Sequence, residues 1–148
     1  TVDVDRGSPT YGQVVGRLSM PTAGDELHHY GWNACSSCHG ERERRYLVVP
    51  GFKSGNVHIL DAADPRDMRL QKTIPAEEIA AKTNLSMPHT VHCRADGVMM
   101  ISMLGDAQGD GPGGFLEIND QFEVVGRWEN SLEGMNFNYD FGTSRDTT

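Results

Sequence analysis

Two stretches of this sequence read as one strand met twice. Gly55-Asn56-Val57-His58-Ile59-Leu60-Asp61 aligns with Gly113-Gly114-Phe115-Leu116-Glu117-Ile118-Asn119, at an offset of 58 residues. That interval is near the ~40–50 residues of a propeller blade plus a loop insertion. The surroundings repeat as well. Candidate strands at 27–33, 45–49, 56–61 and 69–74 are followed by a second set at 89–93, 98–103, 114–119 and 123–129. Each is short and bounded by Gly, Pro, Asp or Asn, as strands between turns are. Thr1 to Asp5 alternates apolar with polar, so 1–5 and 13–18 read as the third and fourth strands of a half unit.

The pattern predicts an all-β fold, a partial β-propeller of about two and a half four-stranded antiparallel blades with one short helix. The half blade takes residues 1–20, the full blades 25–75 and 88–130, and an irregular tail 131–148. An ordinary antiparallel sandwich is the alternative architecture. The helix is expected at 75–82, where Pro75 suits the first turn and Glu77 and Glu78 complement its N-terminus. Ile79 and Ala80 can face a core, and Trp32 and Trp128 are expected to pack between sheets. Leu, Ile, Val and Phe total only 30 of 148 residues, which argues for a loop-rich chain with a thin core. A chain that opens inside a strand, without Met, reads as one missing its true start.

Charge and hydropathy remove several classes of function. The formal net charge of −8 argues against a nucleic-acid partner, which needs a basic face. The longest apolar cluster, Val98-Met99-Met100-Ile101, is far short of the ~18 residues that span a membrane. Three cysteines, two of them in one C-x-x-C, fit the cytoplasm or a bacterial periplasm equally. Nothing in the sequence sets the oligomeric state.

The chemistry-bearing residues gather in two places. His28, His29, Cys35, Cys38 and His39 lie within twelve residues, and His89, His92 and Cys93 within five. Both clusters fall on or beside the first strand of a unit, the strand that lines a propeller's central channel. His29 and His89 are 60 residues apart, close to the repeat interval, so they occupy similar positions on neighbouring blades. Imidazole suits copper, zinc, iron and nickel, and thiolate favours Cu(I) or zinc. On a regular strand the side chains of His28 and His29 point apart, as do those of His89 and His92. One histidine of each pair then faces the channel unless a bulge brings both round. Asp25 and Glu26 either orient an imidazole or form solvated surface.

Cys35-Ser36-Ser37-Cys38 reads as a redox pair, half of a zinc site, or two cysteines by chance. Extended to His39 it matches C-x-x-C-H, the haem-attachment motif, with Met20, Met87 or Met103 as a second axial ligand. The β-rich pattern stands against a small helical cytochrome. Met99 and Met100 sit in a strand, where core packing is the simpler role.

Asp25-Glu26-Leu27-His28-His29-Tyr30-Gly31-Trp32-Asn33-Ala34-Cys35-Ser36-Ser37-Cys38 resembles the signature of the selenium-binding protein family, which includes the methanethiol oxidases. Thr1 to Asp5, His89-Thr90-Val91-His92-Cys93, the Met-Ile-Ser-Met-Leu-Gly run, Gly113-Gly114-Phe115 and Tyr139-Asp140-Phe141 follow in family order. The resemblance implies a β-propeller about three times this length, of which this chain is an early part. It implies copper-dependent oxidation of methanethiol by oxygen and water to formaldehyde, hydrogen sulfide and hydrogen peroxide. It places His28, His29, His89 and His92 as copper ligands, with His29 and His89 the first choice for catalysis. A further family histidine, in later blades, has no counterpart here. Cys35 and Cys38 become a candidate redox or copper-delivery pair. Gly12 stands where selenium-associated members carry cysteine, so selenium attachment there is impossible and the reading tilts towards the oxidase branch.

Overall fold

The computed structural model describes residues 1–34, 42–135 and 137–143. Among them are eight strands and one helix. The strands are β1 (Gly31–Trp32), β2 (Tyr46–Pro50), β3 (Val57–Asp61), β4 (Arg69–Ile74), β5 (Leu85–Cys93), β6 (Met99–Asp106), β7 (Gly114–Ile118) and β8 (Val124–Arg127), and the helix is α1 (Ala76–Thr83). They form two four-stranded sheets, ordered β1-β2-β3-β4 and β5-β6-β7-β8, every neighbour antiparallel. The protein is therefore mostly β, and the two aligned third strands occupy the third place in their respective sheets.

Period-2 patterning builds the core. Val57 and Ile59 on β3, Val91 and Cys93 on β5, Met99, Ile101 and Met103 on β6, and Leu116 and Ile118 on β7 enter one cluster shared by both sheets. Ile79 of α1 joins them, wholly buried, while Ala80 is half-buried. The helix starts one residue later than expected, because Pro75 is its extended N-cap rather than its first helical residue. Pro75 offers no capping side chain, and Asn56 Oδ1 accepts the Ala76 N–H at 3.0 Å instead. Asn84, in the left-handed region, closes the other end by donating its N–H to the Ala80 carbonyl.

Several expectations need correcting. Residues 1–5 and 13–18 do not form strands. They pair through one isolated bridge, Val2 with Val14, flanked by backbone hydrogen bonds from Asp3 N to Gln13 O and from Val15 N to Thr1 O. The loop between them is held by its own polar groups, with Ser8 Oγ and Thr10 Oγ1 both donating to Asp3. Trp128 is exposed with its edge towards Phe115, and Trp32 is half-buried under the Arg44 guanidinium. Neither fills the core. β5 begins at Leu85, four residues before the expected start, and β6 runs on to Asp106.

Candidate metal centre

The approach of the two sheets sets up the site. β1 and β5 meet where the Val91 N–H donates to the His29 carbonyl at 3.2 Å. Gly31 makes this closeness possible, since a Cβ on it would lie 2.6 Å from the Val91 carbonyl oxygen. The two histidine motifs, 60 residues apart in sequence, are thereby held side by side.

His28, His29 and His89 converge, each offering one ring nitrogen, with those nitrogens all within 4.8 Å of one another. Ring centroids are 4.2 Å apart for His28 and His89, 4.6 Å for His29 and His89, and 5.0 Å for His28 and His29. The expectation that His28 and His29 diverge is wrong. Leu27 makes an isolated bridge to Gly51, β1 begins only at Gly31, and the backbone between is not regular strand, so alternation does not apply. On the other side, β5 carries a register shift between Pro88 and Val91, and His89 lies within it. His92 is not one of the group, and its ring stands edge-on to Phe141 with centroids 5.0 Å apart. Cys35, Cys38 and His39 lie outside the described residues. Cys93 is buried in the core, and Met103 is fully buried there too.

The surroundings of the three rings are specific. Glu26 Oε1 is 3.2 Å from His28 Nε2, so of the two acids before the pair it is Glu26 that orients an imidazole. Asp25 turns the other way. Its carboxylate accepts from Ser54 N at 3.0 Å, Ser54 Oγ at 2.6 Å and Glu26 N at 2.9 Å, and lies 3.8 Å from Nε2 of the buried His58. Burial pushes the Asp25 carboxyl up, but the Ser54 and Glu26 donors and His58 outweigh it and hold it below its ordinary value. Burial lowers His58 below the usual imidazole range, Asp25 acting in the opposite sense.

Thr90 Oγ1 lies 3.2 Å from His29 Nδ1 and 2.9 Å from His89 Nδ1. Its backbone N–H donates to Ser102 Oγ at 3.0 Å, and Ser102 Oγ donates to the Tyr139 carbonyl at 3.0 Å. Asn138 is buried and donates to the Gly114 carbonyl, pinning the tail that carries Tyr139 and Asp140 over the site. The Tyr139 ring lies 4.2 Å from that of His89, tilted at 44°, and the Phe52 ring lies 5.7 Å from that of His28. Burial, then the neighbouring His28 and His29, lower the pKa of His89, with Asp140 and the Tyr139 backbone opposing. His89 is thus kept neutral, the form in which imidazole binds a metal.

Two ring nitrogens at the site, His28 Nδ1 and His89 Nε2, are buried with no hydrogen-bond partner among the described residues. A buried polar atom left unpaired is costly, so an ion that accepted their lone pairs would suit both. Nothing in the sequence singles out Thr90. It stands between His89 and Val91, but its role depends on the bulge, which leaves no mark in composition or periodicity.

Two four-stranded antiparallel sheets, with the segment before β1 and the bulge of β5 bringing three imidazoles together, define a mostly β protein with a histidine cluster that could hold a metal ion. The family profile described as 56kDa selenium binding protein (SBP56) matches residues 1–147, and the chain belongs to that family. It is 51% identical over 145 residues to selenium-binding protein 2 of Arabidopsis thaliana, covering 95% of this chain and 30% of that protein. It is 48% identical over 145 residues to the methanethiol oxidase of Mus musculus, covering 95% of this chain and 31% of the relative. Its structure is similar to the crystal structure of a hypothetical selenium-binding protein from Sulfolobus tokodaii, with 41% identity and a TM-score of 0.80. That match covers 88% of this chain and 30% of the other. The chain therefore spans about 30% of the length of these relatives. Among the described residues, no helix is long and apolar enough to cross a membrane.

Proposed function

We propose that this chain is part of a copper-dependent methanethiol oxidase, with its two sheets forming neighbouring blades of a β-propeller. On this reading residues 1–20 supply half of a further blade, 25–75 and 88–130 the two full blades, and 131–148 an irregular tail. The observation that carries the reading is the convergence of His28, His29 and His89 with two unpartnered ring nitrogens among them. The family link adds the substrate class, since relatives at 48% identity are named methanethiol oxidase.

His28, His29 and His89 would hold the copper. Copper held there would supply a Lewis acid that lowers the pKa of a substrate thiol and an acceptor for its electrons. The residues of the chain do the rest. His29 is exposed and leaves one side of the centre open to substrate. Phe52 and Tyr139 flank the rings and give a methyl group an apolar wall. Beside His28 and His29 an open cleft of about 800 Å³, lined by Leu27, Val49 and Leu60 among others, offers a route in. Methanethiol, oxygen and water then balance formaldehyde, hydrogen sulfide and hydrogen peroxide.

A second reading, a metal- or thiol-binding protein without turnover, is favoured by the relatives at 51% and 48% identity that are named selenium-binding protein. Adding methanethiol to the copper-loaded chain separates the two. Peroxide and sulfide released together, and lost in a His29→Ala/His89→Ala variant, support the oxidase. Copper bound without either product supports the second reading.

A further inference from the structure

The turn that joins β2 to β3 grips the segment carrying His28 residue by residue. Leu27 bridges to Gly51, the His28 N–H donates to the Pro50 carbonyl at 3.0 Å, and the Phe52 N–H donates to the Glu26 carbonyl at 2.7 Å. Ser54 gives its N–H and its hydroxyl to Asp25 at 3.0 and 2.6 Å. Gly51 admits this closeness, since a Cβ there would collide with the Asp25 carboxylate. The backbone that carries His28 is therefore held on both sides of Glu26. The two carboxylate oxygens of Glu26 are divided between two partners. Oε2 lies 3.5 Å from Nζ of Lys53, on the same turn, and Oε1 lies 3.2 Å from His28 Nε2.

In a neutral imidazole one nitrogen carries the hydrogen and the other the lone pair. An ionised carboxylate has no hydrogen to give, so His28 Nε2 carries it and donates to Glu26 Oε1. The lone pair is left on Nδ1. That atom is buried with no hydrogen-bond partner among the described residues, and the backbone N–H of His28 itself is taken by Pro50. Nδ1 is thus the nitrogen His28 has to offer to the cluster it forms with His29 and His89.

We propose that Glu26, held by the 50–54 turn, is a positioning residue that makes His28 an Nδ1 ligand, so that a metal at this centre is bound through that atom and not through Nε2. The identity of the ion rests on the copper reading above, whereas the hydrogen on Nε2 is a property of the metal-free chain. Removing a partner of this kind typically lowers metal affinity 10- to 100-fold. Glu26 is exposed, so the lower end, about tenfold, is expected.

The test is nitrogen-15 NMR of the whole chain, labelled at histidine, well above the ordinary imidazole pKa of ~6.5. Spectra are taken without metal and then with silver(I), a diamagnetic stand-in for Cu(I) whose coupling marks the nitrogen it binds. The metal-free parent should show His28 wholly as Nε2–H with a bare Nδ1, and silver should couple to Nδ1. Glu26→Ala should let the ring exchange between its two tautomers, divide silver between both nitrogens, and weaken Cu(I) binding about tenfold in competition with a chelator. Glu26→Gln, which keeps an acceptor oxygen, should restore all three readouts. A bare Nε2 on His28, silver coupled to Nε2 in the parent chain, or a Glu26→Ala chain with parental nitrogen shifts would overturn the proposal. The expected tautomer, lost in Glu26→Ala, in a chain that binds neither ion would instead uphold Glu26's control of the ring and overturn the copper reading.

Discussion

Replacing Gly31 by alanine should damage the metal centre without touching a ligand. The glycine lies at negative φ, so alanine meets no backbone strain there, only the contact with β5. Its Cβ would lie 2.6 Å from the Val91 carbonyl oxygen, 2.9 Å from Val91 Cγ1 and 3.0 Å from Val91 Cβ. Ordinary contact begins near 3.4 Å, so β1 must retreat from β5 by up to 0.8 Å. The hydrogen bond from Val91 N to the His29 carbonyl, already 3.2 Å long, does not survive such a shift. Overpacking of this kind costs about 1–3 kcal/mol, and the lost hydrogen bond about 0.5–1.5 kcal/mol more. The larger consequence is geometric, because His29 moves with β1 while His89 stays with β5. Denaturant unfolding should show the loss of stability, and Cu(I) competition should show affinity reduced about tenfold or more. Gly7→Ala is the control, since its Cβ meets only Asp5 Oδ1 at an ordinary 3.4 Å. A Gly31→Ala chain with parental stability and copper affinity would refute the claim that this close approach assembles the site.

Asp25→Ala should destabilise the fold by about 1–3 kcal/mol in denaturant titrations, because it strands the Ser54 N–H and hydroxyl. Parental stability in that variant would show the carboxylate to be dispensable. Acid should weaken the protein in two stages when melting is followed against pH. His58 and His89 have folded pKa values below the ordinary 6.5, so the unfolded chain takes up protons first and stability falls as pH drops below about 6.5. Asp61, held to about 2 by the Arg45 guanidinium, and Asp3, held to about 2 by Ser8 and Thr10, lie below the ordinary 3.8. Their contribution is complete above about pH 4 and is lost as pH falls towards 2. Stability that rises between pH 7 and 5 would contradict the first stage.

Strands β2 to β8 are legible because period-2 patterning and turn residues mark them locally, whereas the first, expected at 27–33, forms only at Gly31–Trp32. The repeated segments 55–61 and 113–119 coincide with β3 and β7, and β4 falls at its expected bounds. The helix was legible from Pro75 and its acidic first turn, although Pro75 turned out to cap it. Residues 1–5 also alternate, yet alternation alone did not give a strand: one bridge forms, and Asp3 is used by the hydroxyls of its own loop. At the site, the sequence pointed to His28, His29 and His89 but not to how they meet. Face alternation predicted that one of His28 and His29 would turn away, and it failed because residues 28–30 are not regular strand. Thr90 escaped notice because its two imidazole contacts span 61 residues on one side and a bulge on the other. Glu26 and Asp25 looked equivalent in sequence, and only the turn at 51–54 separates their roles.

The most direct measurement is copper stoichiometry of the purified chain after Cu(I) loading, with a visible spectrum on the same sample. The account predicts near one copper per chain and no haem band. That copper should be lost in the His28→Ala/His29→Ala/His89→Ala triple variant and kept in His92→Ala, whose ring stands apart against Phe141. Copper retained in the triple variant, or none bound by the parent chain, would contradict the claim that these three histidines form the metal centre.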